Sequence, residues 1–331
     1  MTKPMNDPIE AKVNKWAPSD IGISDINLQI RYLEGKLFSD YEPTKGVHPD
    51  FLERLNTWLE NVDSDEDKKN LFRLVPNLFF IGRDEFDTLF MAAYNGQIAR
   101  WISDQIGIYF DEETPEERLK AAIANTWICP ITDSMRINGF YHVNNIHSRF
   151  NERPDWLSLC KFGSVEKIEK YLKKKNIDRI VLLEDFISSG TQVSKAIKFA
   201  AELPCKIPIL VVPLLICPKA LESFKVLECA YKHITFSPVI SLATEIFILD
   251  TSIPNEYAFA PAIRDLVVNS YNKVVGSAGP HDYEERPYGP FGFGSTGGLI
   301  VMYSNCPNNT LPIVHHSSRY WNSLFPRSTR I

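Results

Sequence analysis

What this 331-residue sequence lacks narrows its possible functions first. No apolar run is long enough to cross a bilayer. The longest, Ile207–Cys217, contains Pro213 and falls well short of the ~20 residues that a membrane-spanning helix needs. The N-terminal string MTKPMNDPIEAK has no apolar segment behind its charges, so no signal peptide is expected. The six cysteines form no CxxC pair, and the seven histidines, His315 and His316 among them, fall into no HExxH or Cys/His ligand spacing. This argues against zinc. Reduced structural thiols in a cytoplasmic protein are expected instead. There is no surplus of positive charge: 36 Lys and Arg face 41 Asp and Glu, a formal net charge of −5. Bulk attraction to nucleic acid or to an anionic membrane is therefore excluded, although a local basic patch is not. Internal repeats and low-complexity segments are also missing.

What is present is an ordinary globular composition, 44% apolar and 23% charged, enough for a large core. The first third reads as helical. His48-Pro49-Asp50 marks a helix start, and Phe51, Leu52, Leu55, Trp58 and Leu59 follow at helical spacing. Further helices are expected over Asp65–Leu74, from Asp84 to Ile106 with a stop at Gly107, and after Thr114-Pro115-Glu116-Glu117. There the threonine hydroxyl would cap, the proline would open the first turn and the acids would meet the dipole. The pattern then changes. Thr126–Ile131, Ile180–Leu183 and Pro208–Ile216 read as buried strands, and Val165–Asn176 and Val193–Leu203 as helices between them. This alternation implies an α/β fold with a parallel sheet. We therefore divide the chain into a helical region, 1–125, and an α/β domain, 126–331. Within the latter, Glu245–Asp250 and Leu299–Tyr303 read as strands and Ala260–Val275 as a helix. Ser277–Gly298, rich in Gly, Pro and aromatics, reads as a long loop of the kind that often carries binding function.

The chemistry concentrates in Arg179–Val193, RIVLLEDFISSGTQV. An apolar strand ends in two adjacent carboxylates, Glu184 and Asp185. A loop of small hydroxyl residues and one glycine follows, and a helix begins near Thr191. A loop before a helix N-terminus exposes backbone N–H groups where the dipole favours negative charge. Ser188, Ser189 and Thr191 add hydroxyl donors, and Gly190 permits backbone angles closed to other residues. This suits a phosphate monoester. The carboxylates can accept from sugar hydroxyls or hold Mg²⁺. A strand, a turn and a capped helix with no ligand would also use Asp, Ser and Thr. No lysine follows the glycine as a Walker A loop requires, and the Rossmann glycine spacing is missing.

LLEDFISSGT resembles the phosphoribosyl diphosphate (PRPP) motif of type I phosphoribosyltransferases. The resemblance implies that Glu184 and Asp185 hold the ribose 2′- and 3′-hydroxyls and that Ser188, Ser189, Gly190, Thr191 and Gln192 wrap the 5′-phosphate. Gln192 departs from the family pattern, which has Thr or Ser there. The strings ITDSMRINGFYHVN, EDFISSGT and NCPNNTLPIV…WNSLFPR together resemble a phosphoribosyltransferase-like family of bacterial conflict systems, with members in anti-phage operons including some retrons. That likeness implies a phosphoribosyltransferase-like core with a helical N-terminal extension, and a site lined by Asp133, Ser134 and Arg136. The Arg136 fork would clamp diphosphate, although an Asp–Arg pair bracing a loop is the other reading.

The expected function is thus a defence effector that binds PRPP or a related ribose phosphate with Mg²⁺ and transfers or hydrolyses at the anomeric carbon. Glu184 and Asp185 would be its catalytic and metal-holding residues. Protein partners from its operon, including a reverse transcriptase with its nucleic acid where that operon is a retron, are expected. The alternatives are a catalytically inactive nucleotide sensor or scaffold and, ranked last, a nucleotide-salvage enzyme. Lys170, Lys173, Lys174 and Lys175 read as the solvated face of a helix, Pro307–Thr310 as a turn.

Overall fold

The computed structural model describes residues 7–46, 48–109, 113–147, 152–276 and 288–328. The first part of the expected long loop, 277–287, and the side chain of Gln192 lie outside the described residues. The strands are β1 (Phe79–Ile81), β2 (Thr126–Pro130), β3 (Arg179–Ile187), β4 (Ile209–Ile216), β5 (Ile234–Phe236), β6 (Ile240–Ser241) and β7 (Ile300–Met302). The chain divides into two compact units. One combines Met1–Arg83 with Glu245–Ile331, and the other is Asp84–Thr244. The boundary drawn at residue 125 coincides with neither.

The Asp84–Thr244 unit is a parallel α/β sheet in the order β2-β3-β4-β5, with β6 also against β4. All five strands pair in parallel. β4, ILVVPLLI, is buried at every position, as a strand covered on both faces must be. Pro213 sits in this central strand, where its missing N–H ought to break the ladder. It falls in a gap: β5 pairs with Ile209–Val211 and β6 with Leu215–Ile216. Trp127, Ile180, Leu182 and Val211 pack with Ile168, Leu172, Ile197 and Phe224 of the flanking helices into one apolar core.

The helix Val165–Lys175 opens on Ser164, whose hydroxyl accepts from Lys167 N–H, and ends at Asn176 in the left-handed conformation. Ile168 and Leu172 are buried, while Lys170, Lys173 and Lys174 are exposed. The helix Thr191–Ala201 begins two residues before the apolar pattern does, because Gly190 caps it with φ +74°. Helix runs from Arg83 to Ile106 as expected, with a π-helical stretch over Ala93–Ala99 and Gly107 as a left-handed cap. Thr114 precedes the helix Pro115–Ala124, but its side chain makes no cap hydrogen bond.

The other unit joins the two ends of the sequence. β1 pairs in parallel with β7, Phe79 opposite Ile300. The helices Phe51–Leu59 and Asp65–Leu74 form where expected, capped by the side chains of Asp50 and Ser64. Ala260–Val275 is helical over its expected span. Glu245–Asp250 is not a strand. It contains part of a 3₁₀ turn, Thr244–Ile246, and one bridge, Phe247 to Gly298. Its would-be partner is a glycine turn too short to pair further. That turn needs glycine: a Cβ on Gly297, at φ +64°, would collide with the Ile248 carbonyl oxygen.

The block NCPNNTLPIV…WNSLFPR fastens this unit. Trp58 Nε1 and Trp321 Nε1 both donate to the Ile313 carbonyl, at 2.6 and 3.0 Å. Arg54 Nε donates to Leu324 O at 3.1 Å and the Tyr41 hydroxyl to Pro326 O at 2.9 Å. Asn61 donates to Asn322 O and accepts from Asn322 N–H. Phe325 packs among Phe38, Tyr41, Phe51 and Phe80. Pro307–Thr310 is a turn, closed by Thr310 N–H on Pro307 O at 3.1 Å.

Candidate active site

β2 stops at Pro130, paired with Leu183, whereas β3 continues to Ile187 beside β4. Glu184 and Asp185 therefore lie within β3 rather than just past its end, as the apolar run Ile180–Leu183 had suggested. Pairing with β4 carries the strand through them, Glu184 opposite Pro213. On the β2 side no strand among the described residues faces them. The chain turns there, anchored by Ile131 N–H on Leu183 O at 2.8 Å, and its next residues meet the acids.

Successive strand residues point to opposite faces, yet one hydroxyl reaches both carboxylates. Ser134 Oγ lies 3.1 Å from Glu184 Oε1 and 3.0 Å from Asp185 Oδ1. The Thr132 hydroxyl donates to Glu184 Oε1, and Thr132 N–H donates to Oε2 at 2.8 Å. Asp185 Oδ1 also accepts from Phe186 N–H at 2.8 Å. Both acids are buried, at 3% and 6% exposure. Burial, then the neighbouring Asp185 charge, pushes the Glu184 carboxyl up to about 8, against the pull of the Thr132 and Ser134 hydrogen bonds. Two like charges this close resist joint ionisation, so the pair favours one shared proton or a compensating ligand.

The loop follows directly. Ser188 is buried, and its hydroxyl is hydrogen-bonded to the thiol of Cys217, the residue that ends β4 and precedes the helix Pro218–Ala230. Burial pushes that thiol up to about 12, so it is a neutral, unreactive partner. The Ser189 and Thr191 hydroxyls lie 3.2 Å apart, and Thr191 is exposed at the helix start. A Cβ on Gly190 would meet Ala220 and Phe224 at ordinary contact distance, so the positive φ, not crowding, selects glycine here.

Of the residues singled out from the sequence, the structure brings Ser134, Glu184 and Asp185 into one hydrogen-bonded cluster, with Ser188 to Thr191 next along the chain. Asp133 and Arg136 are on the same turn as Ser134 and are exposed. His315 belongs to the other unit. It is buried and donates from Nε2 to Thr310 O at 3.1 Å, with burial holding the ring neutral. Two contributors escaped the sequence reading, Thr132 and Cys217. A hydroxyl residue one step past the expected strand Thr126–Ile131 was the available signal for Thr132. Nothing local marks Cys217.

A parallel sheet with buried acids towards the C-terminal end of a central strand, then a small-residue turn and a helix N-terminus, defines a phosphoribosyltransferase-like α/β protein. The chain belongs to the PRTase-CE family, phosphoribosyltransferase-type conflict effectors, whose model matches residues 55–327. No curated protein and no solved structure matches it. Among the described residues no helix is long and apolar enough to cross a membrane.

Proposed function

We propose that the Asp84–Thr244 unit binds PRPP or a related ribose phosphate and that the protein acts at the anomeric carbon as an effector of anti-phage defence. The observation that carries this reading is the buried Glu184–Asp185 pair beside the Ser188–Thr191 turn. Acceptors for sugar hydroxyls and donors for a phosphate stand within one short stretch, Glu184–Thr191.

In the proposed reaction the bond from the anomeric carbon to diphosphate breaks, and diphosphate leaves with the bonding pair. A bond forms to a nucleobase nitrogen or to water, and the acceptor gives up a proton. Glu184 and Asp185 orient the ribose through its hydroxyls and lie against its developing positive charge. The turn from Ser188 to Thr191, with the first N–H groups of the following helix, fixes the 5′-phosphate. In this reading Arg136, exposed on the turn that carries Ser134, meets the leaving diphosphate. Catalysis rests on positioning and on preorganised charge.

The residues also fit Mg²⁺, which uses one or two protein carboxylates and takes its other oxygens from substrate phosphates and water. Glu184 and Asp185 would hold it. Among the described residues no group of three or more His, Cys, Asp or Glu gathers as a self-sufficient cage. When bound, the ion would neutralise the departing diphosphate.

Isothermal titration with PRPP and Mg²⁺ tests the proposal. Wild-type protein should give binding heat, and Asp185→Asn should lose it. No heat with wild type, or equal affinity in both, would remove the assignment. A second reading has its own observation: the oxygens of Glu184 already accept hydrogen bonds from Thr132 and Ser134, as a nucleotide sensor or scaffold subunit that never turns over would tolerate. Incubation with PRPP, NAD and nucleotides separates the two, because a sensor leaves them intact. Under either reading we propose a cytoplasmic protein held in check by operon partners, with a reverse transcriptase and its nucleic acid among them where the operon is a retron.

A further inference from the structure

The turn after β2 offers the acid pair two hydroxyls, and their arrangement is specific. Thr132 Oγ1 and Ser134 Oγ are 2.6 Å apart. Thr132 donates to Glu184 Oε1, and Ser134 lies within hydrogen-bond reach of both carboxylates, 3.1 Å from Glu184 Oε1 and 3.0 Å from Asp185 Oδ1. Two neighbouring hydroxyls thus face two neighbouring carboxylates. The vicinal cis-diol of a ribose presents the same pattern, with its two oxygens at about hydrogen-bonding separation, ~2.7 Å.

We infer that the Thr132 and Ser134 hydroxyls are an internal stand-in for the sugar diol, so that the ribose subsite is self-occupied and sugar binds by displacing these two hydroxyls. The inference rests on the function proposed above and adds to it a device and a specificity. The exchange is hydroxyl for hydroxyl, so neither buried carboxylate is stranded before or after it. Glu184 Oε2 takes its bond from Thr132 N–H rather than from a hydroxyl, which leaves one anchor outside the exchange. A 2-deoxy sugar returns only one of the two hydroxyls and leaves a carboxylate short of a partner in a site that is 3–6% exposed. Sites built around a substrate hydroxyl reject its deoxy analogue strongly for this reason. Because part of the population is self-occupied, apparent affinity is lowered by the fraction that is open.

The test is titration of wild type, Thr132→Ser and the double variant Thr132→Val/Ser134→Ala with ribose 5-phosphate and 2-deoxyribose 5-phosphate. We expect the double variant to bind ribose 5-phosphate about tenfold more tightly than wild type, as removal of a competing conformer requires. Wild type should prefer ribose 5-phosphate over the 2-deoxy compound. Binding by wild type with equal or weaker binding by the variant overturns the stand-in and leaves the ribose phosphate assignment intact. Binding by neither wild type nor Thr132→Ser overturns both. Should the double variant fail to fold, methyl-labelled wild type decides: the Thr132 methyl resonance must move on saturation with ribose 5-phosphate, and binding without that movement overturns the inference.

Discussion

Glu184 is the residue whose protonation has the most to report. In the folded protein its carboxyl holds a proton up to about pH 8, because burial and the Asp185 charge oppose ionisation. In the unfolded chain it loses that proton near the ordinary ~4.3. The folded state therefore binds more protons between these values, and stability falls as pH rises through that window. Urea midpoints taken from pH 5 to pH 8 should decline for wild type and flatten for Glu184→Gln; parallel slopes would contradict the shift. A ligand that takes the pair in its ionised form should release a proton on binding, visible as a buffer-dependent titration heat. Gly190 is the other single residue with a sharp expectation. At φ +74° with room for a methyl group, Gly190→Ala should cost about 1–2 kcal/mol of stability from backbone strain alone, measured by chemical denaturation. A neutral result would mean that the turn can relax.

At the scale of elements, the C-terminal block invites a prediction of its own. Asn61 both donates to and accepts from the backbone of Asn322, so Asn61→Ala leaves a backbone N–H and a carbonyl without that partner. A loss of about 1–3 kcal/mol is expected, with ribose 5-phosphate binding as the control that should persist. Legibility in the sequence divides along the same line. Elements with a one-dimensional signal could be read: the apolar β3 and β4, the capped helices at Asp50, Ser64 and Ser164, and Ala260–Val275. Elements that owe their state to a distant partner could not. β1 is three residues whose only reason to be extended is Ile300–Met302, and the expected strand Glu245–Asp250 fails for want of a partner longer than a glycine turn. The site follows suit. The acid pair and the glycine turn are contiguous and were legible. That Thr132 meets Glu184, about fifty residues on, depends on the register of β2 against β3. The Cys217 contact with Ser188 depends likewise on where β4 ends.

For the whole molecule, the assignment of chemistry to one compact unit is itself testable. Hydrogen exchange with and without PRPP and Mg²⁺ should show new protection over 184–191 and altered exchange over 131–136. The β1–β7 ladder and the Trp58–Ile313 contact should be unchanged. Protection concentrated in 300–327 instead would move the site to the other unit. The parallel pairing of β1 with β7 has a further consequence, for biosynthesis. β7 leaves the ribosome only after all of Asp84–Thr244 has been made. The parallel sheet of that unit can close co-translationally, while the early helices and Phe79–Ile81 wait with an open strand edge until Ile300–Met302 is made. A nascent chain halted before Ile300 would carry a finished chemical core alongside an unclosed one. Chaperone dependence should therefore be greatest before Ile300–Met302 emerges.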